Sequence, residues 1–176
     1  IDESESVVTR TIQISPEDMM SGSVAGPFQF NGESFDMDII NQTVELGNTE
    51  IWEIFNMSMI AHPFHIHDVQ FYIIDRNGVA PNPNEQGRKD VVLVKQMETV
   101  RFITKFEDFA DDEVPYMYHC HMLQHEDEGL MGQFIVYSDQ SDITVEYAEN
   151  WNLVGLPLNV EDSDYLSLFP SAVEGT

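Results

Sequence analysis

Val100-Arg101-Phe102-Ile103-Thr104-Lys105-Phe106 is a short run of β-branched and aromatic residues, the composition that suits a pleated, half-buried surface. Similar runs recur on either side of it: Val7 to Ile14, Glu50 to Phe55, Val69 to Ile74, Val91 to Val94 and Gln133 to Tyr137. Turn chemistry separates them, as in Arg76-Asn77-Gly78 and in Ala80-Pro81-Asn82-Pro83-Asn84. No stretch carries sustained helical periodicity. The expected class is therefore all-β, a Greek-key sandwich.

A chain of 176 residues, 42% of them hydrophobic, can fill one core but is short for two full domains. One domain is expected over residues 1–140. Beyond Tyr137 the chain turns acidic and polar, and a second apolar patch follows at Trp151 to Leu158. Residues 141–176 read as a linker or extension, or as the start of an appended β module. The run from Asn150 to Leu158 faintly resembles the opening of β-rich modules appended to secreted bacterial proteins. The chain opens on Ile1 rather than Met, so a piece of a longer polypeptide is expected. No run of about twenty apolar residues is present, and no membrane insertion is expected.

Acidic residues outnumber Lys and Arg 32 to 7, a net charge of −25. Such a field repels nucleic acid and anionic lipid, so a nucleic-acid partner is excluded. A heavily solvated acidic surface accounts for the charge without identifying a substrate.

The histidines are concentrated. All six, with the single cysteine, fall in two windows, His62-Pro63-Phe64-His65-Ile66-His67 and His119-Cys120-His121-Met122-Leu123-Gln124-His125. In an extended strand residues two apart share a face, so His119 and His121 point one way and Cys120 the other. By the same parity His65 and His67 share a face, and His62 opposes them if the segment is extended. Two donor sets result. Cys120 joins His62 and His125, which returns to the cysteine side after a short loop; a thiolate with two imidazoles is the trigonal blue-copper set. His65, His67, His119 and His121 form an imidazole-only set suited to copper or zinc. A zinc hydrolase fits poorly, because a cysteine wedged between two histidines gives the wrong geometry for one tetrahedral site. A cysteine protease needs one activating histidine rather than six clustered ones.

These windows resemble the third and fourth copper-binding motifs of the multicopper oxidases, the family of laccases, bacterial cuprous oxidases, spore-coat laccases and bilirubin oxidases. The resemblance extends to Asn31-Gly32, Phe35-Asp36-Met37, Gln70-Phe71 and Gly87-Arg88-Lys89-Asp90, and most of residues 25–137 take part. It implies a C-terminal cupredoxin β-sandwich with copper as cofactor. His62, Cys120 and His125 would bind type 1 copper, His65 the type 2 copper, and His67, His119 and His121 the type 3 pair. Electrons would enter at the type 1 copper from a small reducing substrate, a phenol or low-valent metal ion. They would pass through Cys120 to His119 and His121, and O2 would be reduced to water.

Three departures from the family pattern matter. The axial position lies five residues beyond the last type 1 histidine, where this chain has Leu130, with Met131 next. Leucine would leave the copper three-coordinate and more oxidising, whereas a local shift would bring Met131 over the metal. Asp68 stands where the family usually has glycine. Glu126, directly after His125, occupies a position where bacterial relatives keep a proton-feeding glutamate. Finally, the family cluster needs twice as many histidines as the four available here, so N-terminal cupredoxin domains of the same enzyme, or a partner chain, are the expected partners. A stand-alone blue-copper electron-transfer protein is the alternative, but it gives His65, His67, His119 and His121 no task. The family acts mostly outside the cytoplasm, so a periplasmic or extracellular (secreted) location is expected.

Overall fold

The computed structural model describes residues 1–18, 24 and 26–138. The expectation for residues 141–176 lies outside these. The described chain forms ten strands: β1 (Val8–Pro16), β2 (Phe28–Phe30), β3 (Gln42–Glu45), β4 (Thr49–Asn56), β5 (His62–Ile66), β6 (Phe71–Arg76), β7 (Val91–Val94), β8 (Thr99–Lys105), β9 (Asp111–Cys120) and β10 (Met131–Tyr137). One short helix, α1 (Leu123–Asp127), joins β9 to β10. Two 3-10 turns, Glu3–Glu5 and Pro83–Glu85, complete the elements. Among the described residues no helix is long and apolar enough to cross a membrane.

The strands make two five-stranded sheets, ordered β2-β1-β4-β8-β6 and β3-β10-β9-β5-β7. Within them β1 runs parallel to β4 and β10 parallel to β3, while the other pairs are antiparallel. This is the all-β Greek-key cupredoxin sandwich that the sequence led one to expect. The inner faces interlock through aromatic rings. Trp52 on β4 meets Tyr118 on β9 and Phe134 on β10, with centroids 5.6 and 6.2 Å apart, and Phe102 on β8 meets Phe64 on β5 at 6.0 Å. Rings of this size supply large buried area and favour tilted or edge-on contacts.

Arg10 ties the two sheets together at one side. Its guanidinium pairs with Glu50 at 2.6 Å and donates to Gln42 Oε1 and the Thr43 carbonyl on β3, at 2.8 and 2.6 Å. Trp52 Nε1 donates to the same Glu50 carboxylate at 3.1 Å. The buried carboxylate is thus both paired and hydrogen-bonded, which such a group requires.

For the site, the decisive strands are β5 and β9. They pair antiparallel with Phe64 opposite Cys120, His65 opposite His119 and Ile66 opposite Tyr118. On β5 burial alternates: His62, Phe64 and Ile66 face the core, whereas Pro63 and His65 are only partly covered. Both histidine windows therefore lie side by side in one sheet, and each presents donors to both of its faces.

Candidate metal centre

On the core face three donors converge. Cys120 Sγ lies 3.6 Å from His62 Nδ1 and 3.5 Å from His125 Nδ1, and all three residues are buried, at 1%, 0% and 3% exposure. The ligand atoms fall within 4.8 Å of one another. Phe28 presents its ring edge-on to His62 and His125, at 4.6 and 4.8 Å between centroids, and closes the pole with apolar surface. His125 reaches this point from α1, where the sequence predicts a short loop. One helical turn follows Met122, with Glu126 N–H bonded to the Met122 carbonyl at 3.0 Å, and Gly129 ends it with φ 96°, a conformation suited to glycine. Five residues are too few to leave a helical period in sequence.

Burial sets the protonation of this pole. Desolvation, with the second imidazole nearby, pushes His62 down to about 4, and desolvation also lowers His125. Both rings are neutral near neutrality, as ligands must be. The same burial pushes the Cys120 thiol up to about 11. A buried thiol of this kind is a poor free nucleophile, and a cation is what would draw the proton off. Copper fits: one soft thiolate and two neutral imidazoles are its donor set.

Beside it, Leu130 is fully buried and its carbonyl accepts from Cys120 N–H at 3.1 Å. Met131 pairs with His119 across β9 and β10. Strand parity thus assigns Leu130 to the Cys120 face and Met131 to the His119 face.

The other face carries His65, His67 and His119, whose ligand atoms also fall within 4.8 Å of one another. His65 Nδ1 donates to the Asp90 carbonyl at 2.7 Å, which leaves Nε2 free. His119 Nδ1 lies 3.1 Å from the Cys120 carbonyl and 3.3 Å from Glu126 Oε2, so its Nε2 is free to meet His67 Nε2 at 3.2 Å. Backbone and carboxylate partners of this kind fix which nitrogen a ligating imidazole presents. His121 stands at the edge, with ring centroids 5.3 Å from His65 and 5.7 Å from His119, and outside the close trio. An open groove of about 450 Å³ borders His65 and His67, lined also by Asp68, Asp90 and Tyr116.

Asp68 adopts φ 71° in a three-residue turn closed by Val69 N–H on the His67 carbonyl at 2.9 Å. Among the described residues its Oδ2 is buried without a hydrogen-bond partner. Burial and the nearby Asp108 push this carboxyl up to about 6. Two supporting residues escaped the sequence reading: Phe28, and Ser58, whose Oγ lies 2.8 Å from His62 Nε2. A lone phenylalanine or serine carries no spacing signal that would mark it.

Residues 9–140 match the family model for multicopper oxidases. The chain is 38% identical over 156 residues to a laccase of Haloferax volcanii, covering 87% of this chain and 25% of the relative. It is 38% identical over 110 residues to a multicopper oxidase of Staphylococcus aureus, covering 60% of this chain and 24% of the relative. A solved laccase-like multicopper oxidase from the lignin-degrading bacterium Ochrobactrum sp. superposes with a TM-score of 0.67 at 34% identity, covering 77% of this chain and 32% of that one. The chain thus spans about a quarter of the length of these curated relatives.

Proposed function

The chain belongs to the multicopper oxidase family, and from that premise we propose that it is a copper-dependent oxidoreductase domain that joins an electron-entry site to one half of an oxygen-reducing cluster. In this reading His62, Cys120 and His125 hold a type 1 copper, and His65, His67, His119 and His121 hold their share of the type 2 and type 3 coppers. The remaining ligands come from N-terminal cupredoxin domains of the same enzyme or from a partner chain. Bound copper supplies one-electron chemistry, by which a small reductant such as a phenol or low-valent metal ion is oxidised and O2 is reduced to water.

The observation that carries the reading is the juxtaposition at β9. Cys120 Sγ faces two Nδ1 atoms at 3.6 and 3.5 Å while its neighbour His119 faces His67 on the opposite side at 3.2 Å. One peptide unit separates the two donor sets, and His119 Nδ1–H spans it a second time through the Cys120 carbonyl at 3.1 Å. A stand-alone electron-transfer protein would have no use for the second set.

The roles of the neighbouring side chains follow. Leu130 on the Cys120 face offers no thioether, which favours Cu(I) and makes the site a stronger oxidant than a methionine would. Met131 belongs to the other face and serves packing. Glu126, partly exposed and 3.3 Å from His119 Nδ1, can hold a proton between solvent and the oxygen-reducing side. Its place of action is periplasmic or extracellular, as for most of the family.

The test is Cys120→Ser in the copper-loaded chain. The intense blue absorption of the thiolate-to-copper transition should vanish. A blue band that survives the substitution overturns the assignment.

A further inference from the structure

Between β4 and β5 lies a buried polar knot built on Asn56, Ser58 and His62, exposed by 0%, 1% and 0%. The Asn56 side chain donates to the Ile60 and Val94 carbonyls at 2.7 and 3.1 Å and accepts from Ser58 N–H at 2.9 Å. The Ser58 hydroxyl donates to the Ile60 carbonyl at 3.0 Å, accepts from Ile60 N–H at 3.4 Å and lies 2.8 Å from His62 Nε2. A hydroxyl has one proton and two lone pairs. With its proton on the Ile60 carbonyl, Ser58 can only accept from His62.

We propose that Ser58 is a positioning residue: its Oγ accepts the His62 Nε2 proton, holds the ring in the Nε2–H tautomer and aims the Nδ1 lone pair at Cys120 Sγ. The inference deepens the type 1 reading of His62 and rests on it. Three features make the arrangement more than an incidental contact. Ser58 is itself held through its backbone N–H by Asn56, so the acceptor is fixed before any metal arrives. Both side chains are shut off from bulk solvent, so a wrong tautomer would leave Ser58 and His62 mismatched, a costly state for buried polar groups. The apolar edge of Phe28 lies on the same ring at 4.6 Å and offers no competing acceptor. A ligating imidazole that donates its other N–H is also a better donor to the metal, and loss of such a partner typically costs 10- to 100-fold in metal affinity.

The experiment has two readouts. In the copper-free chain, 15N imidazole shifts of His62 should report the Nε2–H tautomer, lost in Ser58→Ala and kept in Ser58→Thr, which retains the hydroxyl. In the copper-loaded chain, Ser58→Ala should weaken type 1 binding about 10- to 100-fold and move its reduction potential, with Ser58→Thr restoring both. A wild-type His62 protonated on Nδ1, or a Ser58→Ala chain that binds copper and keeps its potential like wild type, overturns the proposal. If no blue site forms in the wild type, the type 1 reading fails, and the tautomer still decides the role of Ser58.

Discussion

At the scale of the residue, Asp68 shows the conflict between local preference and site. An aspartate at φ 71° in a three-residue turn pays a conformational cost that glycine does not, and its Oδ2 is buried without a partner among the described residues. Glycine would remove both terms, though it adds freedom to the unfolded chain. Asp68→Gly should therefore stabilise the copper-free chain by about 1 kcal/mol, read as a higher urea midpoint with an unchanged slope. A lower midpoint would mean that the carboxylate makes a stabilising contact. The donors themselves were legible because the period of a strand is two: the alternation in His119-Cys120-His121 separates the sets without any tertiary information. Ser58 was not legible, since its role depends on where the Ile60 carbonyl lies, and no sequence rule places that atom.

At the scale of the element, β9 is the hinge of the account, and its register is locked from both sides. Tyr118, two residues before Cys120, pairs with Gly132 on β10 and with Ile66 on β5. Its ring lies where a side chain at position 132 would sit, so any Cβ there must collide with it. Gly132→Ala should cost about 1–3 kcal/mol through overpacking, measured by denaturant unfolding of the copper-free chain. A neutral substitution would show that β9 and β10 can shift apart freely. Strands rich in β-branched and aromatic residues were readable from composition, within a residue or two at their ends, as with β7 at Val91–Val94 and β8 at Thr99–Lys105. β5 and β9 were read as extended only through the spacing of their histidines, and the three-residue β2, the four-residue β3 and the five-residue α1 were not read at all. Elements so short owe their form to the sheets and the pole they pack on rather than to their own residues.

At the scale of the molecule, the chain carries a net charge of −25 with seven basic residues, and Arg10, Arg76, Arg101 and Lys105 are already engaged in ion pairs. Little positive charge is left to attract phosphate. The imidazole face has the opposite character to the cysteine pole. His67 and His121 are exposed, and His65 and His67 border an open groove, whereas His62, Cys120 and His125 are enclosed. In the proposed reading the enclosed set holds its copper unaided, while the open set takes its further ligands from the partner domains.

That asymmetry is best tested by copper stoichiometry together with visible and electron-spin-resonance spectra, taken on the purified chain after anaerobic Cu(I) loading and oxidation in air. The account predicts one blue type 1 copper per chain and no oxygen uptake with a phenol. The absence of a blue band, or a full set of further coppers with oxygen consumption by this chain alone, would contradict it.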